Sequence, residues 1–319
     1  MRLAHDISNY LKGTGRLYFK PVSGLGFIDF GSLTKVDLTP SITTEKHYNR
    51  RSGTARLDQN NVKEAGCTIG FSTEESCADN VRIAFGGDAV HASSQTAGNV
   101  DGVSVTVALD LFVDLGKLNL SSVKLTHGSV TGGAFVVGDV ITLGTAHGTA
   151  KWIGSGFVEL NDVTGVFAST GTISSSGKSA TLASAEVQKD IIVTDHATVP
   201  TKRYVAGTDY EVDCEMGFFR AFTAGTITAT AFTSYDYPLV TKETVRALTN
   251  TSIIGELRFV GDPDDGPHYI VSMWKVSLTA STGLGLIGES NSEIALTGEI
   301  LDDTLNHPST PFFDAVRIK

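Results

Sequence analysis

The stretch TTEKHYNRRSGTARLDQNNVKEAGCTIGF, residues 43–71, decides how the rest of the chain is interpreted. Its middle is long, polar and basic, with three arginines surrounding a Ser-Gly pair. On each side lies a run in which apolar residues alternate with polar ones, as in a half-buried β-strand. The pattern therefore predicts a long hairpin, or arm, that reaches away from the core.

Two interpretations of this arm are open from the residues alone. The plainer one is an exposed polar loop, since loops lie on protein surfaces. The more specific interpretation is an arm that docks on a neighbouring copy of the chain, where the arginine guanidinium groups would form salt bridges with that copy's carboxylates. The residues that would form this inter-subunit contact are Arg50, Arg51, Ser52, Gly53, Arg56, Asp58 and Lys63.

The composition favours strands and turns over helices. Hydrophobic residues make up 41% of the 319 residues, which excludes a disordered chain. Charged residues make up only 19%, and 34 glycines accompany many Thr, Ser and Val residues. We therefore expect an all-β dominated fold, with enough chain for two domains or one large one.

The net charge of −10 bears on possible partners. Wrapping DNA or adhering to an anionic membrane requires a concentrated basic face, which this chain lacks. An acidic wall would instead suit a conduit along which DNA slides, because it repels phosphate. We expect no membrane contact and no specific binding of nucleic acid.

The three cysteines, Cys67, Cys77 and Cys214, form no CxxC pair, and their number is odd. Neither a disulfide framework nor a zinc site is indicated, and a reducing compartment fits best. The N-terminus has no apolar run of signal-peptide length, and no run approaches the roughly 18 apolar residues of a membrane span. We expect the chain to be made in the cytoplasm.

One short helix is predicted within FSTEESCADNVRIAFGGD, residues 71–88. Ser72 and Glu75 have the spacing of a capping box, and the Gly86-Gly87 pair supplies a C-terminal stop. The face expected to cover a sheet comprises Cys77, Val81, Ala84 and Phe85.

Residues 116–190 differ in amino-acid composition from the rest of the chain, and this difference predicts a small inserted β domain. They are dense in Gly, Ser and Thr and carry five basic and five acidic side chains. The core domain would then be discontinuous, comprising residues 1–115 and 191–319. Within its second part, alternation predicts that one strand buries Ile253, Leu257 and Phe259, and another buries Ile294, Leu296 and Ile300.

Two short motifs in the sequence suggest a ligand-binding loop. GLGLIG, residues 283–288, matches the glycines of a dinucleotide loop, but a strand pattern follows it where the fingerprint requires a helix. We interpret it as a connection between strands. The carboxylates of DPDDGPHY, residues 262–269, suggest calcium, but Pro267 occupies the position where an EF-hand loop needs glycine. A β-turn explains this stretch, and no metal is expected.

No catalytic motif is present in the sequence. The eight histidines form no HxxxH or HExxH pair, and there is no GxSxG sequence or P-loop. We therefore expect a protein that is not an enzyme and needs no cofactor.

The order of these phrases resembles that of a known family. Several stretches of the sequence carry this resemblance. They are GFIDFGSLTKVDLTPSITTEKHYNRRSGTARLDQNNVKEAGCTIGF, the predicted helix FSTEESCADNVRIAFGG, the later YVAGTDYEVDCEMGFFRAF with TITATAFTSYDY, and the closing IIGELRFV and SEIALTGEIL. In their order they resemble the major tail tube proteins of long, non-contractile-tailed bacteriophages. The resemblance covers about three-quarters of the chain as a pattern of phrases and includes no catalytic motif.

The resemblance implies a sandwich-like or barrel-like β fold with one flanking helix. It also implies hexameric rings that stack into a hollow virion tail tube, with tape-measure, tail terminator and baseplate proteins as partners and DNA passing through the lumen. The inserted domain would then decorate the outer surface. The residues leave another class open, a β-rich adhesin or carbohydrate-binding protein in which the insert is the binding module.

Overall fold

The chain forms two compact units. The computed structural model describes residues 13–22, 24–51, 53–263, 267–289 and 291–318. One unit comprises Met1–Ala92 with Glu243–Lys319, and the other comprises Ser93–Lys242.

The chain is built of strands, with a single helix among the described residues, which confirms the expected all-β fold. The first elements are β1 (Gly15–Pro21), β2 (Ile28–Asp29), β3 (Leu33–Asn49), β4 (Arg56–Thr73), α1 (Ala78–Ala84) and β5 (Val90–Gln95). The second unit adds β6 (Gly98–Thr106), β7 (Phe112–Asp114), β8 (Ser122–His127), β9 (Val140–Leu143), β10 (Ala146–Gly154), β11 (Phe157–Thr164), β12 (Gly171–Ser175), β13 (Lys178–Gln188), β14 (Ile192–Thr194), β15 (Tyr210–Asp213), β16 (Phe218–Ala221) and β17 (Thr230–Tyr237). The chain returns through β18 (Val240–Val245), β19 (Ile253–Gly261), β20 (His268–Ala280), β21 (Ile294–Ile300) and β22 (Phe313–Ile318).

The first unit is organised around one eight-stranded sheet, in the order β2-β1-β19-β20-β21-β4-β3, with β22 also paired to β20. One side of the long β20 pairs with β19, and on the other side its first half pairs with β22 and its second half with β21. The predicted inward faces are confirmed, since Ile253, Leu257, Ile294, Leu296 and Ile300 are all buried in one cluster. Phe259 packs against the same cluster and is partly buried.

The helix begins later than the capping box predicted. Ser72 lies in β4, which stays hydrogen-bonded to its neighbours as far as Thr73. The Glu75 carboxylate accepts a 2.9 Å hydrogen bond from the backbone N–H of Ser32 instead of returning to a helix N-cap. Cys77 holds the N-cap position and makes no side-chain capping bond. Pairing within the sheet therefore outweighs the local capping signal.

The buried face of α1 is also rotated from the predicted one. Asn80 and Ile83 are the buried residues, and Val81 and Ala84 only pack against the core from its edge. The predicted Cys77 and Phe85 are exposed. Asn80 is buried because its side-chain amide donates to the carbonyl oxygens of Phe30 (3.1 Å) and Glu75 (2.9 Å).

The stop predicted for this helix is confirmed. Gly86 has φ of 62°, and the N–H of Gly87 donates to the carbonyl of Arg82 at 2.8 Å. This left-handed glycine closes the last turn as a C-terminal glycine does.

The second unit contains a closed six-stranded barrel in the order β10-β11-β8-β13-β12-β9, and two three-stranded sheets, β14-β17-β6 and β15-β16-β7. The barrel falls inside the predicted insert 116–190, but the unit extends further, from 93 to 242. Residues flanking the insert explain the difference, because Val105, Ile191 and Phe219 pack in one buried cluster. Segments 93–115 and 191–242, which were predicted to belong to the core domain, therefore pack in the second unit. Strands β5 and β18, where the chain passes from one unit to the other, pair as a two-stranded sheet.

Candidate functional site

The most prominent surface feature of the first unit is the hairpin of β3 and β4. The two strands pair from Leu33 with Thr73 to Asn49 with Arg56. Every described residue from 39 to 65 is exposed, so this part extends beyond the core, and we call residues 39–65 the arm. Eleven residues on β3 and ten on β4 correspond to a length of about 30–35 Å at the usual rise per residue.

The two faces of the arm differ in chemistry. Register pairs on the mainly apolar face join Ile42 with Ala65, Thr44 with Val62, and Tyr48 with Leu57, and the polar pair of Lys46 and Asn60 lies between the last two. This apolar face continues the one on which Val36 and Leu38 pack against the core. The opposite face is wholly polar and carries Thr43, Glu45, His47 and Asn49 with their partners Glu64, Asn61, Gln59 and Arg56.

The apolar face of the arm is left open by the chain itself. Ile42 is 66% exposed, Val62 63%, Leu57 52% and Tyr48 47%. A row of large exposed apolar side chains on a projecting ribbon is typical of a protein–protein contact surface.

Two β-bulges in β4 shape the arm. The pairing advances by two residues on β4 and one on β3 between Thr43 and Thr44, and again between His47 and Tyr48. The extra residues are Lys63 and Asp58, both among the residues predicted for the inter-subunit contact. The second bulge brings Asp58 Oδ1 to 2.6 Å from His47 Nδ1. Such bulges increase strand twist and re-aim side chains, which here present Asp58 and Lys63 off the regular ladder.

The tip of the arm is basic. The N–H of Arg51 donates to the Asn49 side-chain oxygen at 2.9 Å, which fixes the start of the turn, and Gly53 takes φ of 73°. Within the described ranges no ion pair involves Arg50, Arg51 or Arg56, and all three are exposed. Their guanidinium groups are therefore available to carboxylates of another molecule.

The arm differs in charge from the rest of the chain. Residues 39–65 carry five basic and three acidic side chains, whereas the remainder carries 20 basic and 32 acidic ones. A basic arm on an acidic body favours association between copies and gives it a preferred orientation.

The structure places most of the predicted contact residues at the outer part of the arm. Arg50, Arg51, Gly53, Arg56 and Asp58 lie there, Lys63 lies nearer the base of the arm, and Ser52 is outside the described residues. Sequence reasoning missed the apolar face. Its signal was present in the spacing of Ile42 and Tyr48 along β3, but on β4 the bulges interrupt the alternation.

A second candidate site is a cleft of about 550 Å³ in the second unit. The carboxylate of Asp236 in this cleft accepts hydrogen bonds from the backbone N–H groups of Asp162 (2.7 Å) and Val163 (3.2 Å). Burial raises the pKa of Asp236 to about 6. Asp162 in turn accepts from the side chain of Asn99 at 2.7 Å, so both carboxylates already have partners within the protein. The exposed surface of the cleft includes Val166, Glu186 and Val187.

The two motifs tested for ligand chemistry lie in connections. GLGLIG forms irregular backbone between β20 and β21, so its glycines link two strands as predicted. Residues 262–267 link β19 to β20, with 264–266 outside the described part of the chain, and His268 and Tyr269 begin β20. Among the described residues, no group of three or more His, Cys, Asp and Glu side chains is placed to hold a metal ion. Nor does that part contain a helix with the length and apolar character needed to cross a membrane.

Comparison with known proteins places the chain in a family. A family model described as Protein of unknown function UCP028589 matches residues 10–168 and 158–312. These segments cover most of the chain, which therefore belongs to that family. No curated protein matches the chain.

Proposed function

We propose that this protein is a virion structural subunit that forms a phage tail tube by self-assembly of hexameric rings, and that it is not an enzyme. Stacked rings would enclose a lumen for genome delivery. The tape-measure, tail terminator and baseplate proteins would be its other partners. The resemblance of its phrases to major tail tube proteins supports this class.

The observation that carries the proposal is the uncovered apolar face of the arm. Two strands alone are marginally stable, and an open row of Ile42, Tyr48, Leu57 and Val62 gains stability when another surface excludes water from it. A repeated contact between identical copies provides that surface at every subunit.

The charge of the body agrees with a conduit for DNA. Outside the arm the chain has twelve more acidic than basic side chains. A lumen lined by carboxylates would repel phosphate and so offer DNA no adhesive contact. Reversing lumen-facing carboxylates to lysine is expected to leave tubes intact and slow DNA ejection.

The experiment that tests the proposal is electron microscopy of the purified protein at high concentration. Six-fold rings or hollow tubes are the expected result. The matched variant replaces residues 45–61 by Asn-Gly, which joins the register partners Thr44 and Val62 by a two-residue turn. It should remain a folded, β-rich monomer. Tubes formed equally well by this shortened chain would contradict a role for the arm, and a persistently monomeric parent would contradict the proposal.

The cleft in the second unit favours one other function, carbohydrate binding by an adhesin. The cleft is lined by the polar residues Asn99 and Glu186 and by the aromatic Tyr237, which is a combination that suits a sugar. This alternative predicts saturable glycan binding that is weakened by Glu186→Ala and unaffected by shortening the arm. An absence of binding across a glycan array would remove it.

A further inference from the structure

A second surface has the character that the arm requires of its partner. It is the solvent face of the three-stranded sheet β15-β16-β7, where inward residues such as Phe219 and Val113 alternate with outward ones. We call the outward face the platform. In its two register rows the platform residues are Asp114, Phe218 and Asp213, and then Phe112, Arg220 and Glu211.

The platform is apolar at its centre. Phe112 is 54% exposed and Phe218 38%, and their rings meet edge to face with centroids 6.3 Å apart. Leu111 and Met216, 62% and 54% exposed, lie close to them in sequence. Phe112 and Phe218 also line a shallow depression with Glu211, Val212 and Asp213.

The platform already binds one guanidinium group. The Arg220 guanidinium lies 4.9 Å from the centre of the Phe112 ring and 2.8 Å from a carboxylate oxygen of Glu211. An arginine held between an aromatic face and a carboxylate is a favourable arrangement, because cation–π attraction and a charge-assisted hydrogen bond act together. The same chemistry is available to an arginine from outside.

Two carboxylates of the platform have no cation beside them. Asp114 accepts a 2.7 Å hydrogen bond from the backbone N–H of Gly116, and Asp213 accepts from that of Glu215 at 3.0 Å and that of Met216 at 3.1 Å. Within the described part of the chain neither carboxylate forms an ion pair. They flank Phe218 on both sides and make the platform acidic.

We propose that the arm of one copy docks on the platform of a second copy, an inference that rests on the proposed self-assembly. Tyr48 and Leu57 would cover Phe112 and Phe218. The arginines of the arm, Arg50, Arg51 and Arg56, would pair with the carboxylates of the platform.

Charge selects the platform over another exposed apolar patch of the molecule. The patch around Phe27 has cations above its ring, with Lys20 Nζ at 5.9 Å and the Arg258 guanidinium at 4.9 Å from the ring centre. A basic arm would be repelled there. The platform offers instead three carboxylates against one arginine.

Sedimentation velocity of full-length chains over a concentration series tests the proposal. The variants are Asp114→Lys with Asp213→Lys on the platform, and Arg50→Glu with Arg51→Glu and Arg56→Glu on the arm. Each alone should weaken self-association about tenfold or more, and mixing the two should restore association between unlike chains. Glu289→Lys with Glu293→Lys, a pair of exposed charge reversals in the first unit outside the arm, is the matched control and should associate normally.

A second platform variant guards against a folding defect. Asp114→Asn with Asp213→Asn keeps an oxygen acceptor for the backbone N–H groups and removes only the charge. It should weaken association while circular dichroism stays unchanged. Normal association of both platform variants, together with loss of association in the arm variant, would overturn the platform and leave the proposed function standing. A parent chain that does not associate at any concentration would overturn both.

Discussion

Tyr48 and Leu57 are register partners at the outer end of the arm, and each is about half exposed, at 47% and 52%. Since nothing in the described chain covers them, replacing both by serine removes no intramolecular core contact. We expect Tyr48→Ser with Leu57→Ser to change the free energy of unfolding by no more than about 0.5 kcal/mol and to reduce self-association about tenfold or more.

The next register pair supplies the control for this prediction. His47 and Gln59 are partners on the opposite, polar face of the arm. His47→Ser with Gln59→Ser should leave self-association close to that of the parent. Sedimentation equilibrium measures the association, and urea unfolding measures the stability. An equal loss in both double variants would show that the apolar face has no special role.

Glu159 and Arg203 form a buried ion pair in the second unit, with side chains only 4% and 14% exposed. Burial raises the pKa of Glu159, and the guanidinium of Arg203 partly opposes that rise. Because Glu159→Ala removes the nearer carboxylate and leaves the buried Arg203 with Asp190 at 3.7 Å, it should destabilise the second unit by about 2–3 kcal/mol. Emission of Trp152 in a Trp274→Phe background reports unfolding of this unit, since these are the chain's two tryptophans.

The matched test of that pair removes both charges. Glu159→Leu with Arg203→Met should be clearly more stable than Glu159→Ala, because apolar groups replace the buried pair, and Asp190, which loses its 3.7 Å contact with Arg203, keeps the hydrogen bond from the Tyr210 hydroxyl at 3.0 Å. The Tyr204 carbonyl, which accepts from Arg203 at 2.7 Å, is the acceptor that the double variant leaves without its partner. A double variant less stable than Glu159→Ala would show that this hydrogen bond outweighs the buried charge.

The alternation of apolar and polar residues was enough to predict the inward faces of β19 and β21, because each strand has one face in the core. The same alternation did not predict the apolar face of the arm, for a physical reason. The bulge at Asp58 shifts the parity of β4, so Leu57 and Val62 lie on one face although they are five residues apart, and the bulge at Lys63 does the same for Val62 and Ala65. The basic tip of the arm could be predicted from the amino-acid composition alone. The apolar face could be recognised only from the pairing register of β3 and β4.

The helix start and the extent of the second unit depend on contacts between distant residues. Ser72 matches a capping box locally, but it pairs with Ala295 and Lys35 in the sheet. The platform was not predicted either. Its outward residues come from β7 and the hairpin of β15 and β16, about a hundred residues apart in sequence.

Asp236 makes the stability of the second unit depend on pH. Its pKa in the folded chain, about 6, is above the ordinary aspartate value of 3.8, mainly because of burial. The stabilisation from binding a proton is therefore complete below about pH 3.8 and is lost as the pH rises through about 6. In Asp236→Asn this dependence is absent. The stability of the parent relative to Asp236→Asn should fall by about 1–2 kcal/mol between pH 4 and pH 7 and stay level above, as Trp152 emission measures. A constant difference across that range would contradict the assignment.

Gly217 and Gly207 are left-handed glycines of the second unit, with φ of 75° and 79°, that differ in their surroundings. A Cβ at 207 would meet nothing within 4 Å, so Gly207→Ala should cost only the backbone penalty of about 1–2 kcal/mol. A Cβ at 217 would lie 1.9 Å from the carbonyl oxygen of Lys117, which forces the backbone to move. Gly217→Ala should therefore lose about 2 kcal/mol more than Gly207→Ala in urea unfolding. Because Gly217 directly precedes Phe218, its substitution should also displace the platform and weaken self-association, whereas Gly207→Ala should leave association unchanged. Equal effects of the two alanines on both readouts would show that this turn neither resists the added methyl group nor positions the platform.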